Sequence, residues 1–239
     1  MFQRAKWIAA DNNTKTIRPA PLFRKKFVVR EDIVSAKLYI CGLGLGCFYI
    51  NGVSITEDVM LTPISRYDAR VYYNVYEVKT FLEKGENVIG AMLGNGWYFV
   101  TYHRWDYYIP DWKHHPKLLL RLEIEYADGK KEEVVSDSSW KTKESALIYN
   151  EDKRGEIFDA RLYDQDWCLA KCSDSDWKNA FICRSPGGIL CENKIPPIRI
   201  THRFEGKKIS EQVYDIGQNI SGWAKITVKG NKGDEVVLR

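Results

Sequence analysis

Between Gly94 and Trp112 the chain gathers side chains suited to holding a polar, ring-shaped ligand. Gly94-Asn95-Gly96-Trp97-Tyr98 sets an amide between two glycines and ahead of two large aromatics, and the run on to Trp112 mixes rings with Thr, His, Arg and Asp. Flat aromatic faces can meet the C–H face of a pyranose while amides and carboxylates bind its hydroxyls. Trp97, Tyr98 and Trp105 are therefore stacking candidates. Asn95 and Asp106 are hydroxyl-binding candidates, and Glu156 could reach a hydroxyl or an ion beside the aromatic loop. A structural reading competes at each position. The rings can pack against another domain or cover the end of a sandwich, and Asn95 can serve only as a left-handed turn residue.

Other chemistry finds little purchase. In Gly155-Glu-Ile-Phe-Asp-Ala-Arg161 an extended backbone sends Glu156 and Asp159 to opposite faces, so the two acids do not converge as an acid/base pair. An Asp159–Arg161 ion pair is expected instead, and the similar Tyr67-Asp-Ala-Arg70 is expected to hold an ion pair with Tyr67 packed beside it. The chain has no Gly-x-Ser-x-Gly elbow, phosphate-binding glycine loop or His-Glu-x-x-His, and no catalytic residue is assigned. The six cysteines include no Cys-x-x-Cys pair and read as reduced thiols, with no metal site. A net charge of +4, from 36 basic and 32 acidic residues, is too small a bias to imply nucleic acid. No apolar stretch is long enough to cross a bilayer, and the N-terminus lacks the apolar core of a signal peptide, so no membrane partner and a cytoplasmic location are expected.

The elements that must position these residues read as strands. Apolar and charged residues alternate from Leu120 to Tyr126, break at Ala127-Asp-Gly-Lys130 and resume as Lys131-Glu-Glu-Val-Val135, which predicts a hairpin with one buried face. Asn51-Gly52 between Phe48-Tyr-Ile50 and Val53-Ser-Ile55 predicts a type I′ turn. A third hairpin is expected from Ala224–Val228 and Glu235–Leu238. Arg24-Lys-Lys reads as the start of an edge or surface strand. The best helical stripe, Tyr76 to Lys84, is worth one or two turns before Gly85 ends it. The fold class is therefore all-β: an antiparallel β-sandwich with short helical connectors. Ile195-Pro-Pro-Ile198 marks a boundary between a first domain, 1–197, and the start of a second β-domain, 198–239.

The order and spacing of several segments resemble the N-terminal β-sandwich region of bacterial α-L-rhamnosidases. They are Leu38–Gly44, Phe48–Gly52, Tyr67–Asn74, Gly94–Tyr98, Gly155–Arg161, Asp176–Ala180, Glu192–Arg199 and Tyr214–Trp223. The resemblance covers nearly the whole chain. It implies a jelly-roll-like domain followed by a second β-domain, with hydrolysis of terminal rhamnose performed in an (α/α)6 barrel that carries paired glutamates. On that reading the chain is an N-terminal piece without the barrel, inactive alone. It acts as an accessory module for a rhamnose-containing carbohydrate or, alternatively, as a scaffold that docks the C-terminal catalytic domain. No cofactor is assigned. Some relatives bind rhamnose with calcium at the position of Asn95, where Asp is common. A neutral amide pulls weakly on a cation, so a calcium site would need oxygens from Asp106, Asp111 or loop carbonyls.

Overall fold

The computed structural model describes residues 2–11, 18–100 and 112–238. Backbone packing divides the chain into Met1–Ile198 and Arg199–Arg239.

In the first unit the alternation along Lys117–Tyr126 becomes one strand of a sheet, with Leu120, Leu122, Ile124 and Tyr126 buried and Arg121, Glu123 and Glu125 facing outward. Its neighbour Lys131–Val135 returns antiparallel through a turn in which Gly129 has φ +76°. Among the described residues this sheet has seven strands. Its path runs Phe181–Ile182, Ile8–Ala9, Lys117–Tyr126, Ile33–Leu43, Arg70–Glu77 and Ile189–Glu192, and Lys131–Val135 branches off it. The last pairing, Ile189–Glu192 on Arg70–Glu77, is parallel, a departure from the antiparallel rule.

A second sheet, of six strands among the described residues, runs Lys178–Asn179, Lys141–Glu144, Pro21–Val29, Gly85–Gly94, Leu45–Ile50 and Val53–Ser54. Inner residues of the two sheets, among them Leu38, Ile40, Leu120 and Leu122 from one and Phe23, Phe48, Ile89 and Ala91 from the other, form one core. This is the expected β-sandwich. The turn between Leu45–Ile50 and Val53–Ser54 has Asn51 at φ +50° and Gly52 at φ +79°, the two positive angles of a type I′ turn. Among the described residues the helical connectors are two single 3-10 turns, Lys79–Phe81 and Ala160–Leu162; Tyr76 and Glu77, expected in the first, end the preceding strand.

Three local expectations are corrected. Pro21–Val29 lies inside the six-stranded sheet, and Arg24 is fully buried. Its guanidinium donates to the carbonyls of Cys172 and Leu169, each at 3.0 Å, and to Asp174 at 3.0 Å. A loop that is distant in sequence thus covers a residue that composition places at the surface. In the Tyr67–Arg70 segment Asp68 pairs with Arg66 at 2.8 Å, while Arg70 donates to the Tyr72 hydroxyl at 3.5 Å. The Tyr67 ring is buried as expected.

The third correction falls in the second unit. It contains one short ladder, Lys207–Lys208 with Tyr214–Asp215, and residues 224–238 form no hairpin. Ile226, Val228, Val236 and Val237 are exposed. A unit this short buries too little apolar surface to hold a further ladder by itself.

Candidate functional site

The strand Gly85–Gly94 runs beside Leu45–Ile50, with Leu45 opposite Gly94, and delivers Asn95 to the end of the sheet. Glycine makes that delivery possible. Gly44 (φ +113°) and Gly96 (φ +48°) lie where the bend before Leu45 meets the turn after Asn95. A Cβ on Gly44 would fall 2.0 Å from the Gly94 carbonyl oxygen, and one on Gly96 would fall 2.8 Å from Leu45 Cγ.

Asn95 is 3% exposed and committed to the protein. Its backbone N–H donates to Asn150 Oδ1 at 2.6 Å, its side-chain Nδ2 donates to the Asn150 carbonyl at 2.9 Å, and its own carbonyl accepts from Phe99 N–H at 3.1 Å. The left-handed angle belongs to Gly96 rather than to Asn95. Both sequence readings of Asn95 are thereby revised: the amide is neither presented to solvent nor a left-handed turn residue, but a clamp between the turn at 96–99 and the strand Leu147–Glu151.

Tyr98 is likewise revised. It is fully buried, stacked on Trp112 with centroids 5.8 Å apart and set edge-on to Tyr67 at 5.1 Å. Burial holds its phenol far above the ordinary range, and its hydroxyl has no hydrogen-bond partner among the described residues. The Lys117 ammonium lies 5.9 Å from the ring and donates to the Arg184 carbonyl at 2.9 Å. Burial lowers the Lys117 pKa. The turn thus points position 98 into the core, and Tyr98 offers no face to a ligand.

Trp97, one residue earlier on the same turn, is half-buried. Glu156 is exposed on Gly155–Phe158, directly opposite Asn150 in the ladder with Leu147–Glu151. The fold therefore links Asn95 to Glu156 through Asn150. Trp105 and Asp106, with the rest of 101–111, lie outside the described residues. The Asp159–Arg161 pair forms as expected, with two side-chain hydrogen bonds of 2.8 and 2.6 Å. Hydrogen bonds from the Arg161 side chain and backbone pull the Asp159 carboxyl down to about 2. Among the described residues no three His, Cys, Asp or Glu side chains converge to hold a metal ion, and Asp106 and Asp111, named for calcium, lie outside them.

Sequence reasoning missed Asn150. It is 8% exposed, and its Nδ2 is buried without an acceptor among the described residues. The available signal was Asn150-Glu151 closing the apolar run Leu147-Ile-Tyr149: two polar residues where a strand end would normally face solvent, and both buried.

Residues 31–202 match the family described as the alpha-L-rhamnosidase N-terminal domain, and residues 206–239 match the bacterial alpha-L-rhamnosidase concanavalin-like domain. An alpha-L-rhamnosidase of Formosa agariphila is 29% identical over 96% of this chain, which spans 27% of that relative's length. The structure is similar to that of an alpha-L-rhamnosidase from Dictyoglumus thermophilum, with a TM-score of 0.80 and 36% identity over 90% of this chain and 26% of that one. It is also similar to a Streptomyces avermitilis alpha-L-rhamnosidase solved in complex with L-rhamnose, with a TM-score of 0.79 and 26% identity over 85% of this chain and 20% of that one.

Proposed function

The chain belongs to the family of α-L-rhamnosidase N-terminal domains, and from that membership we propose that it is a non-catalytic module that engages the sugar end of a rhamnose-containing glycoside. The observation that carries this reading is the Asn95–Asn150 clamp, which ties the Trp97 turn to the ladder that bears Glu156. A clamp of this kind fixes a ring and a carboxylate before a ligand arrives, so less ordering entropy is lost on binding. Trp97 supplies the apolar face for the methyl and C–H side of the sugar, and Glu156 accepts from a hydroxyl. Asn95, with its Nδ2 already engaged, positions the turn rather than touching the ligand. A one-ring ligand on an exposed rim limits affinity to about the micromolar-to-millimolar range. The parent protein would be an α-L-rhamnosidase whose hydrolytic groups lie in the part that its relatives possess beyond this match.

Calorimetry of the chain with L-rhamnose, with and without calcium, tests the binding reading. Saturable heat supports it, and calcium-dependent heat adds a metal to the site. Turnover of an aryl rhamnoside that survives repurification and is lost on mutating an acid of this chain would overturn the non-catalytic assignment.

A scaffold role is the second reading. Ile157, Phe158, Leu162 and Tyr163 are each more than half exposed beside Glu156, an apolar surface suited to docking against a catalytic barrel. No heat with L-rhamnose in either condition favours that reading.

A further inference from the structure

The turn that carries Trp97 ends on Phe99, and Phe99 is held from another part of the chain. Its backbone N–H donates to the Asn95 carbonyl at 3.1 Å, and its buried ring lies on the His115 imidazole with centroids 4.4 Å apart and planes 30° from parallel. The turn follows Gly85–Gly94 of the six-stranded sheet, whereas His115 stands just ahead of Lys117–Tyr126 of the seven-stranded sheet. That strand is anchored from its start, with Leu118 opposite both Gly42 and Ile8. A stack of two rings therefore joins the turn to the other sheet.

The stack suits a neutral imidazole and not a charged one. His115 is 8% exposed, and its Nε2 is buried with no hydrogen-bond partner among the described residues. A proton there creates a buried cation whose N–H finds no acceptor, a state the chain escapes by turning the ring toward water and off Phe99. Attraction between an imidazolium and the Phe99 ring offsets little of this, because the Lys113 ammonium already lies 5.7 Å from the centroid of that ring and repels a second cation. Among the described residues the other titratable or charged groups that act on the imidazole are Asp11, Arg18 and His114. Asp11 favours the charged form but is engaged by Arg18 at 2.6 Å, and Arg18 and the His114 ring, 6.2 Å away between centroids, oppose it. Burial is the largest influence and brings the His115 pKa from 6.5 down to about 4.

We propose that His115 is a positioning residue for Trp97: through Phe99 its neutral ring holds the turn in the shape that presents Trp97, and its protonated form lets the turn go. Sugar affinity then belongs to the neutral state, complete at neutral pH and lost as pH falls through the folded-state midpoint. The inference rests on the sugar-binding reading above and names what holds the ring of that site in place.

The test is an NMR titration of the 15N-labelled chain from neutral pH to about pH 3.5, with L-rhamnose affinity measured along it, in wild type and in His115→Phe and His115→Ala variants. Amides of Leu120–Ile124 check that the sandwich stays folded. The Gly96–Phe99 amides should shift with the midpoint of the His115 ring in wild type and stay flat in H115F, and affinity should fall about tenfold across that midpoint in wild type alone. At neutral pH, H115A should bind about tenfold more weakly, while H115F, which keeps a ring on Phe99, binds as wild type does. Turn amides that ignore the imidazole midpoint, or that shift equally in H115F, would overturn the inference, as would unchanged affinity in H115A. No binding at neutral pH, with turn amides that still follow the imidazole, would overturn the sugar-binding reading and leave His115 as the support of the turn.

Discussion

Asn95 and Asn150, 55 residues apart, hold each other through two hydrogen bonds, backbone N–H to Oδ1 at 2.6 Å and Nδ2 to carbonyl at 2.9 Å. The pair closes that end of the sheet and makes the turn's geometry depend on a residue from another strand. Replacing Asn150 with alanine strands the buried Asn95 N–H, and a stability loss of about 1–3 kcal/mol is expected in urea unfolding. Asp at 150 keeps the Oδ1 acceptor and should recover part of it. An alanine variant as stable as wild type would show that the clamp contributes nothing.

Trp97 and Tyr98 are neighbours with opposite expected phenotypes. Tyr98→Ala empties a fully buried site and should cost about 3–5 kcal/mol. Trp97→Ala, on a half-buried ring, should weaken L-rhamnose binding at the turn at least about tenfold with a much smaller change in Tm. Calorimetry and thermal melts on the two variants separate the roles, and a large Tm drop for Trp97→Ala would mark that ring as core.

Arg24 is the bolt of the loop that covers the six-stranded sheet. Arg24→Met removes the donors that serve two carbonyls and Asp174, and should cost about 2–4 kcal/mol. Cys168, a buried residue of that loop, should then react faster with a thiol reagent. Unchanged labelling would show that the loop is held by the Trp167 and Trp177 packing instead.

His115 makes stability depend on pH. It packs on Phe99 with ring centroids 4.4 Å apart, and burial lowers its pKa from 6.5 to about 4. Above pH 6.5 both the folded and unfolded states hold it neutral, and the contribution is complete. Between 6.5 and 4 the unfolded state takes the proton first, so stability falls with pH by on the order of 2–3 kcal/mol. Urea unfolding across that window, in wild type and His115→Gln, should show the slope and its loss in the variant; equal slopes would assign it elsewhere.

The strands were legible because their signal is local. Leu120 to Tyr126 alternates in sequence as it alternates in space, and Asn51-Gly52 carries its turn type in two residues. The match of ordered segments was legible for the same reason, being written along the chain. The second unit departs from its pattern because an apolar run becomes a ladder only where a partner surface covers it.

The site divides along that line. Residue order is enough to dictate a sandwich and a glycine-flanked Asn-Gly-Trp-Tyr turn at the end of one of its strands. Tertiary structure alone decided that Asn95 faces Asn150, that Tyr98 turns inward while Trp97 stays half-buried, and that Arg24 disappears under a loop some 150 residues away. The physical reason is range. Backbone preference and side-chain alternation act between near neighbours, whereas the partner of a buried polar group is chosen when distant strands assemble, by whichever acceptor the packing leaves within about 3 Å.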